Sequence, residues 1–188
     1  MRNILLAVVF LISVVGCVTV GDKVVYVEDN EYYVQYSFFY KNDMTSSSNY
    51  REGTLIPINT KVRLQNIGGY DIFGEKSFEI VTVDGRHRIV VGNNEDTSGV
   101  NLEQFKNRML KKEPVSLSEY TEQVQGFIRN GEPAKRMTKE MVLLAMGYPP
   151  YDLTPSLEEQ NWIYKQAMFQ KAYLIFNDSG ILIDLFYK

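Results

Sequence analysis

Ser77-Phe78-Glu79-Ile80-Val81-Thr82-Val83-Asp84-Gly85-Arg86-His87-Arg88-Ile89-Val90-Val91 is the stretch that sets the character of the N-terminal half. β-Branched and aromatic side chains fill both arms, and Gly85 after Asp84 tolerates the positive φ of a tight turn. It reads as a β-hairpin of Ser77 to Val83 and His87 to Val91. On its N-terminal side, Lys61-Val62-Arg63-Leu64-Gln65 alternates polar with apolar, the period of a half-buried strand, and Gly68-Gly69 then breaks it. Lys23 to Tyr40 is dense in Val, Tyr and Phe around a turn signal at Asp29-Asn30 and reads as another hairpin. Lys41 to Glu52 is polar with no apolar period, so a mobile loop is expected. On the other side, Asn101 is placed to cap a helix carrying Leu102, Phe105, Met109 and Leu110 on one face. Residues 23–112 are thus expected to form a small, mostly β domain closed by a helix.

Beyond Pro114 the period becomes helical. Ser116 with Glu119 three residues on is a capping-box pattern, and Leu117, Tyr120, Val124, Phe127 and Ile128 form one apolar stripe ending near Gly131. Thr138 caps a second helix, Met137 can pack on Val142 as a staple, and Gly147 followed by Pro149-Pro150 stops it. Asn161 to Phe169, Lys171 to Phe176 and Ile181 to Phe186 read as strands. The expected class is α+β: a mostly β N-terminal domain, then a two-helix, three-stranded antiparallel domain over 114–188.

The first residues read differently from the rest. Arg2 precedes an apolar run from Ile4 to Val15 broken only by Ser13, and Gly16 precedes Cys17, the single cysteine. This is the order of an export signal. Val14-Val15-Gly16-Cys17 resembles the bacterial lipobox, which implies cleavage between Gly16 and Cys17, a signal peptide of residues 1–16, diacylglycerol on the Cys17 sulfur and a tether over 17–22. Val18, where inner-membrane lipoproteins of enterobacteria carry aspartate, resembles the outer-membrane sorting choice. The expected location is the outer membrane, facing the periplasm. Several acyl chains, each buried methylene contributing about 0.8 kcal/mol, would hold the chain there. With 20 basic against 23 acidic residues and no basic cluster, neither a nucleic-acid partner nor an electrostatic membrane anchor is expected.

Met137-Thr138-Lys139-Glu140-Met141-Val142, then Leu144-Ala145-Met146-Gly147-Tyr148-Pro149-Pro150, then Trp162-Ile163-Tyr164 and Phe176-Asn177-Asp178-Ser179-Gly180-Ile181, resemble the SmpA/OmlA family of BamE-like lipoprotein domains in order and spacing. The resemblance covers 114–188 and implies an ααβββ domain and an accessory role in envelope or outer-membrane assembly. Arg136 stands where the family carries glycine, so the loop between the helices is expected to be remodelled.

Trp162, with Tyr164 two residues on, reads either as core packing beneath the helices or as an interface anchor. Tyr33 and Phe39 belong to an aromatic run (Tyr32, Tyr33, Tyr36, Phe38, Phe39, Tyr40) that must place rings on both faces of its strand, one of which can dock a partner. No catalytic residue is expected. His87, the only histidine, lies between Arg86 and Arg88, with no neighbouring carboxylate to orient it. One histidine and a lipidated cysteine make no zinc site of the usual kind, and no cofactor motif appears. The expected function is a lipid-anchored, protein-binding scaffold with an envelope protein as partner; the alternatives are a peptidoglycan hydrolase and an inhibitor-type binding module.

Overall fold

A computed structural model describes the backbone of residues 16–20 and 23–27 and all atoms of residues 30–188. Residues 1–15 of the expected signal peptide (1–16) lie outside the described residues, and Gly16 and Cys17 are described in their backbone alone. In chain order the strands are β1 (Gly16–Val20), β2 (Lys23–Val27), β3 (Glu31–Val34), β4 (Phe38–Tyr40), β5 (Met44–Ser46), β6 (Thr54–Ile56), β7 (Lys61–Tyr70), β8 (Lys76–Thr82) and β9 (Arg88–Asn93). Helices α1 (Glu95–Ser98) and α2 (Leu102–Met109) and the short β10 (Leu110–Lys111) follow, then α3 (Glu122–Asn130) and α4 (Lys139–Met146). The chain closes with β11 (Asn161–Ala167), β12 (Gln170–Phe176) and β13 (Leu182–Tyr187).

The architecture is mostly β. One mixed sheet runs β10-β3-β7-β8-β9-β5, with β1 and β2 joined to it at β7; β11-β12-β13 form a second sheet and β4-β6 a two-stranded one. The hairpin read from residues 77–91 is its centre: β8 and β9 pair antiparallel with Phe78 opposite Val91 and Ile80 opposite Ile89, all four buried. Alternation puts these side chains on one face, where α2 covers them through Leu102, Phe105 and Met109. Asn101 caps α2 in a capping box with Gln104, as expected, but Leu110 has already left the helix for the sheet edge opposite Val34.

The structure corrects the expected fold class. The chain is mostly β, with four short helices of 4, 8, 9 and 8 residues among the described residues, and residues 114–188 do not form the expected two-helix, three-stranded BamE-like domain. The physical reason lies in who completes the C-terminal part. Its apolar cluster includes Ile58 from the N-terminal half. The C-terminal carbonyls of its helices accept side chains of Ser37, Asn49 and Arg51 from the N-terminal half in addition to the N–H groups of their own caps, Gly131 and Gly147. The first of those helices is also shorter than its apolar stripe: it starts at Glu122 with Thr121 as N-cap, while Ser116 bonds the Ser118 hydroxyl instead of capping.

Other expectations change locally. Residues 23–40 are not a hairpin, because β2 pairs with β1 whereas β3 enters the large sheet between β7 and β10. The expected tether holds β1, which pairs along its length with β2, Cys17 opposite Tyr26. Gly68-Gly69 does not end β7; the strand reaches Tyr70 with register shifts near Leu64 and Ile67. Lys41 to Glu52 is ordered: it carries β5, parallel to β9, and buries Ser47 and Arg51.

Ser37 shows how the halves are joined. It is fully buried; its hydroxyl donates to the Ile128 carbonyl at 2.7 Å and accepts the Ile58 N–H at 2.9 Å, while its own N–H bonds the Leu144 carbonyl. Ser37→Ala leaves the buried Ile58 N–H without its acceptor, while the Ile128 carbonyl keeps only the Gly131 N–H, so a loss of about 2 kcal/mol in urea denaturation is expected. Arg136 holds a φ of 78°, the left-handed region, while its N–H bonds the Leu182 carbonyl. A Cβ there is strained, and Arg136→Gly is expected to raise stability by about 1 kcal/mol, read as a higher melting temperature.

Candidate functional site

An open groove of about 450 Å³ lies where β7 begins and β8 ends. Leu55, Ile56, Pro57 and Val83 line it together with Thr60, Lys61, Thr82, Asp84 and His87. Its polar lining is internally paired. Lys61 bonds Glu31 at 2.6 Å, which holds the glutamate below and the lysine above their ordinary values. The Thr82 hydroxyl donates to Asp84 and accepts the His87 N–H; with the Arg86 N–H it keeps the Asp84 carboxyl below its usual range. His87 Nδ1 sits 2.6 Å from the Tyr40 hydroxyl. Nucleophilic catalysis needs an imidazole oriented by an acceptor and a hydroxyl or thiol in its reach. Here the imidazole meets a tyrosine and the Thr82 hydroxyl is committed to Asp84, so these groups brace the hairpin tip.

Two turns present large apolar side chains to solvent. At the β7–β8 turn Tyr70, Ile72 and Phe73 are exposed, Ile72 by 79% and Phe73 by 76%. At the β11–β12 turn Met168 and Phe169 are exposed by 74% and 92%. The second turn borders the open face of the C-terminal sheet. Trp162, Tyr164, Ala172, Leu174 and Phe176 point inward, so their neighbours point out. Ile163, Tyr173 and Phe186 lie in one row across the strands. Tyr173 and Phe186 stack with centroids 5.1 Å apart, and Lys188 Nζ stands over both rings.

The residues singled out from sequence do not converge. Trp162 and Tyr164 are fully buried in the second apolar cluster, as in the core-packing alternative of the two read from sequence. The Tyr164 hydroxyl donates to the Gly147 carbonyl, and burial pushes its pKa upward. Tyr33 and Phe39 are half-buried, the first beneath Lys61 Nζ at 5.8 Å and the second beneath the Arg51 guanidinium at 4.9 Å. Among the described residues no group of three or more His, Cys, Asp or Glu is placed to hold a metal ion, and no helix is long and apolar enough to cross a membrane.

The sequence reading missed Ile72, Phe73, Met168 and Phe169. Their signal was present: large apolar residues at strand-to-strand turns, where polar residues and glycine are the ordinary choice. No family model, no curated protein and no solved structure matches this chain.

Proposed function

We propose that the chain is a lipid-anchored, protein-binding scaffold of the bacterial cell envelope, tethered through Cys17 and docking a partner protein on the outer face of its C-terminal sheet. The observation that carries this reading is the adjoining apolar surface: Met168 and Phe169 at the β11–β12 turn, with Tyr173 and Phe186 stacked on the sheet beside them. Exposed apolar area of this kind has no role in holding the chain's own core, and aromatic side chains combine contact area with few rotatable bonds. Tethering supports the same reading, because confinement to one surface raises effective concentration toward partners there without tight intrinsic affinity. The signal order ending at Gly16-Cys17 supports the anchor.

Two measurements test it together. Intact mass of the membrane-extracted chain is expected to show loss of residues 1–16 and added acyl mass on Cys17, both abolished by Cys17→Ser. A photo-crosslinking residue at position 169 is expected to join one envelope protein in living cells, with the same residue at the remote position 103 joining none. An unacylated chain that keeps its starting methionine removes the anchor. Equal labelling from both positions removes the docking face.

A further inference from the structure

Lysines scattered along the sequence meet on the outer face of the C-terminal sheet. Lys165 of β11 lies directly opposite Lys171 of β12, and Lys171 exchanges both backbone hydrogen bonds with Lys188, just past β13. Residues directly opposite in an antiparallel sheet share a face, so the three side chains form one row, about 10 Å wide at roughly 4.8 Å per strand. Like charges set opposite one another destabilise a sheet. Lys165 is answered within the molecule, by Asp152 at 3.3 Å. Neither Lys171 nor Lys188 has a carboxylate side chain as partner among the described residues, and Lys188 Nζ stands over the Tyr173 and Phe186 rings. Asp184, farther along the same face, is already bonded to Lys135 at 2.9 Å.

Apolar side chains flank this row on both sides. Toward the turn stand Met168 and Phe169; two residues along each strand in the other direction lie Ile163, Tyr173 and Phe186. At about 3.3 Å per residue the aromatic row lies roughly 7 Å beyond the lysines. A bilayer entered by the turn would meet the lysines at headgroup depth and leave the aromatic row in water. A protein segment lying along the strands covers turn, lysines and rings together, and the surplus positive charge between apolar groups is matched by acidic side chains between apolar ones.

Resting on the docking role proposed above, we infer that the partner presents an acidic segment to this face. Its carboxylates pair with Lys171 and Lys188, and apolar side chains on either side of them meet Met168, Phe169 and the Tyr173–Phe186 stack.

Lys171→Glu is the discriminating change. It places an acid between two lysines, so the melting temperature of the full-length chain is expected to hold or rise, and a loss of docking is then separate from a loss of fold. In living cells, the protein joined to a photo-crosslinking residue at position 169 is expected to be recovered as well with Lys171→Arg as with the unaltered chain. With Lys171→Glu its recovery is expected to fall at least about tenfold, because like charges then face each other across the contact. Mass spectrometry of the joined peptide is expected to show an acidic segment. With the purified Cys17→Ser chain, fluorescence anisotropy is expected to show a labelled peptide of alternating Glu and Tyr binding at least about tenfold tighter than its Ser/Tyr counterpart, and more weakly as salt rises. Equal affinity for the two peptides, or undiminished cross-linking from the Lys171→Glu chain, overturns the acidic partner and leaves the docking face standing. Lys171-dependent sedimentation of the Cys17→Ser chain with phosphatidylglycerol vesicles, with no binding of the Glu/Tyr peptide, also overturns it, because anionic lipid would then be the occupant. If position 169 of the unaltered chain joins no protein, the docking face falls and this inference falls with it.

Discussion

Arg51→Ala is expected to cost about 3 kcal/mol of stability and to lower the melting temperature by about 10 °C in a chain of this size. Arg51 is buried at 7% exposure, with its guanidinium donating to the carbonyls of Gly131 at 2.6 Å, Met146 at 3.0 Å and Ala145 at 3.4 Å. Those carbonyls lie at the C-terminal ends of α3 and α4, where each helix leaves acceptors without intrahelical partners and concentrates partial negative charge. One cation answers two helix ends, and the helix ends take the place of a carboxylate partner. Burial lowers the guanidinium to about 10, which leaves it charged at neutral pH. Truncation strands buried acceptors and also removes the planar group that covers Phe39. Arg51→Lys keeps the charge but lacks the fork geometry, so it is expected to recover less than half of the loss. Urea titrations followed by circular dichroism decide the matter: a change in unfolding free energy below about 1 kcal/mol for Arg51→Ala would show that water replaces the guanidinium at both helix ends.

Trp162 supplies the second large effect and a sharper contrast. The side chain is fully buried, its ring lies 4.8 Å from that of Phe176, and Lys139 Nζ stands over both. Its Nε1–H finds no hydrogen-bond partner among the described residues. Trp162→Ala empties the centre of the second apolar cluster and is expected to cost about 4 kcal/mol. Trp162→Phe removes the unmatched donor together with part of the ring, so the two changes oppose each other and a loss of only about 1 kcal/mol is expected. Indole fluorescence of the unaltered chain, which has no other tryptophan, should resist acrylamide quenching. Ready quenching, or a Trp162→Phe loss as large as that of Trp162→Ala, would place the indole N–H in a water-filled site.

Local elements were largely legible. Asp84-Gly85 marked the central hairpin, Asn101 and Thr138 marked two helix starts, and Gly131 and Gly147 marked two helix ends, all found where expected. These signals work because a cap or a tight turn is a short-range matter of one side chain and a few backbone groups. The misreadings share another cause. Asn49 and Arg51 were read as part of a polar loop because polar composition without period ordinarily means solvent. Their side chains are polar because they bond carbonyls of α4 and, for Arg51, α3, about eighty to a hundred residues away. The Ser116 capping pattern looked sound but lost to tertiary packing, and Leu117 was buried outside any helix. Of the surface positions suggested by aromatic content, Trp162 and Tyr164 went to the core. Exposure depends on which face of a strand the rest of the molecule covers.

Sequence alone therefore determined the central hairpin at Asp84-Gly85 and the helix caps at Asn101, Thr138, Gly131 and Gly147, because each is written in the period and chemistry of neighbouring residues. Tertiary structure decided the rest: that β dominates, that the two halves share buried hydrogen bonds, and that Ile72, Phe73, Met168 and Phe169 remain uncovered. Those outcomes depend on pairing between residues distant along the chain, and a polar or apolar side chain looks the same in sequence whether its partner is water or a carbonyl from the other half.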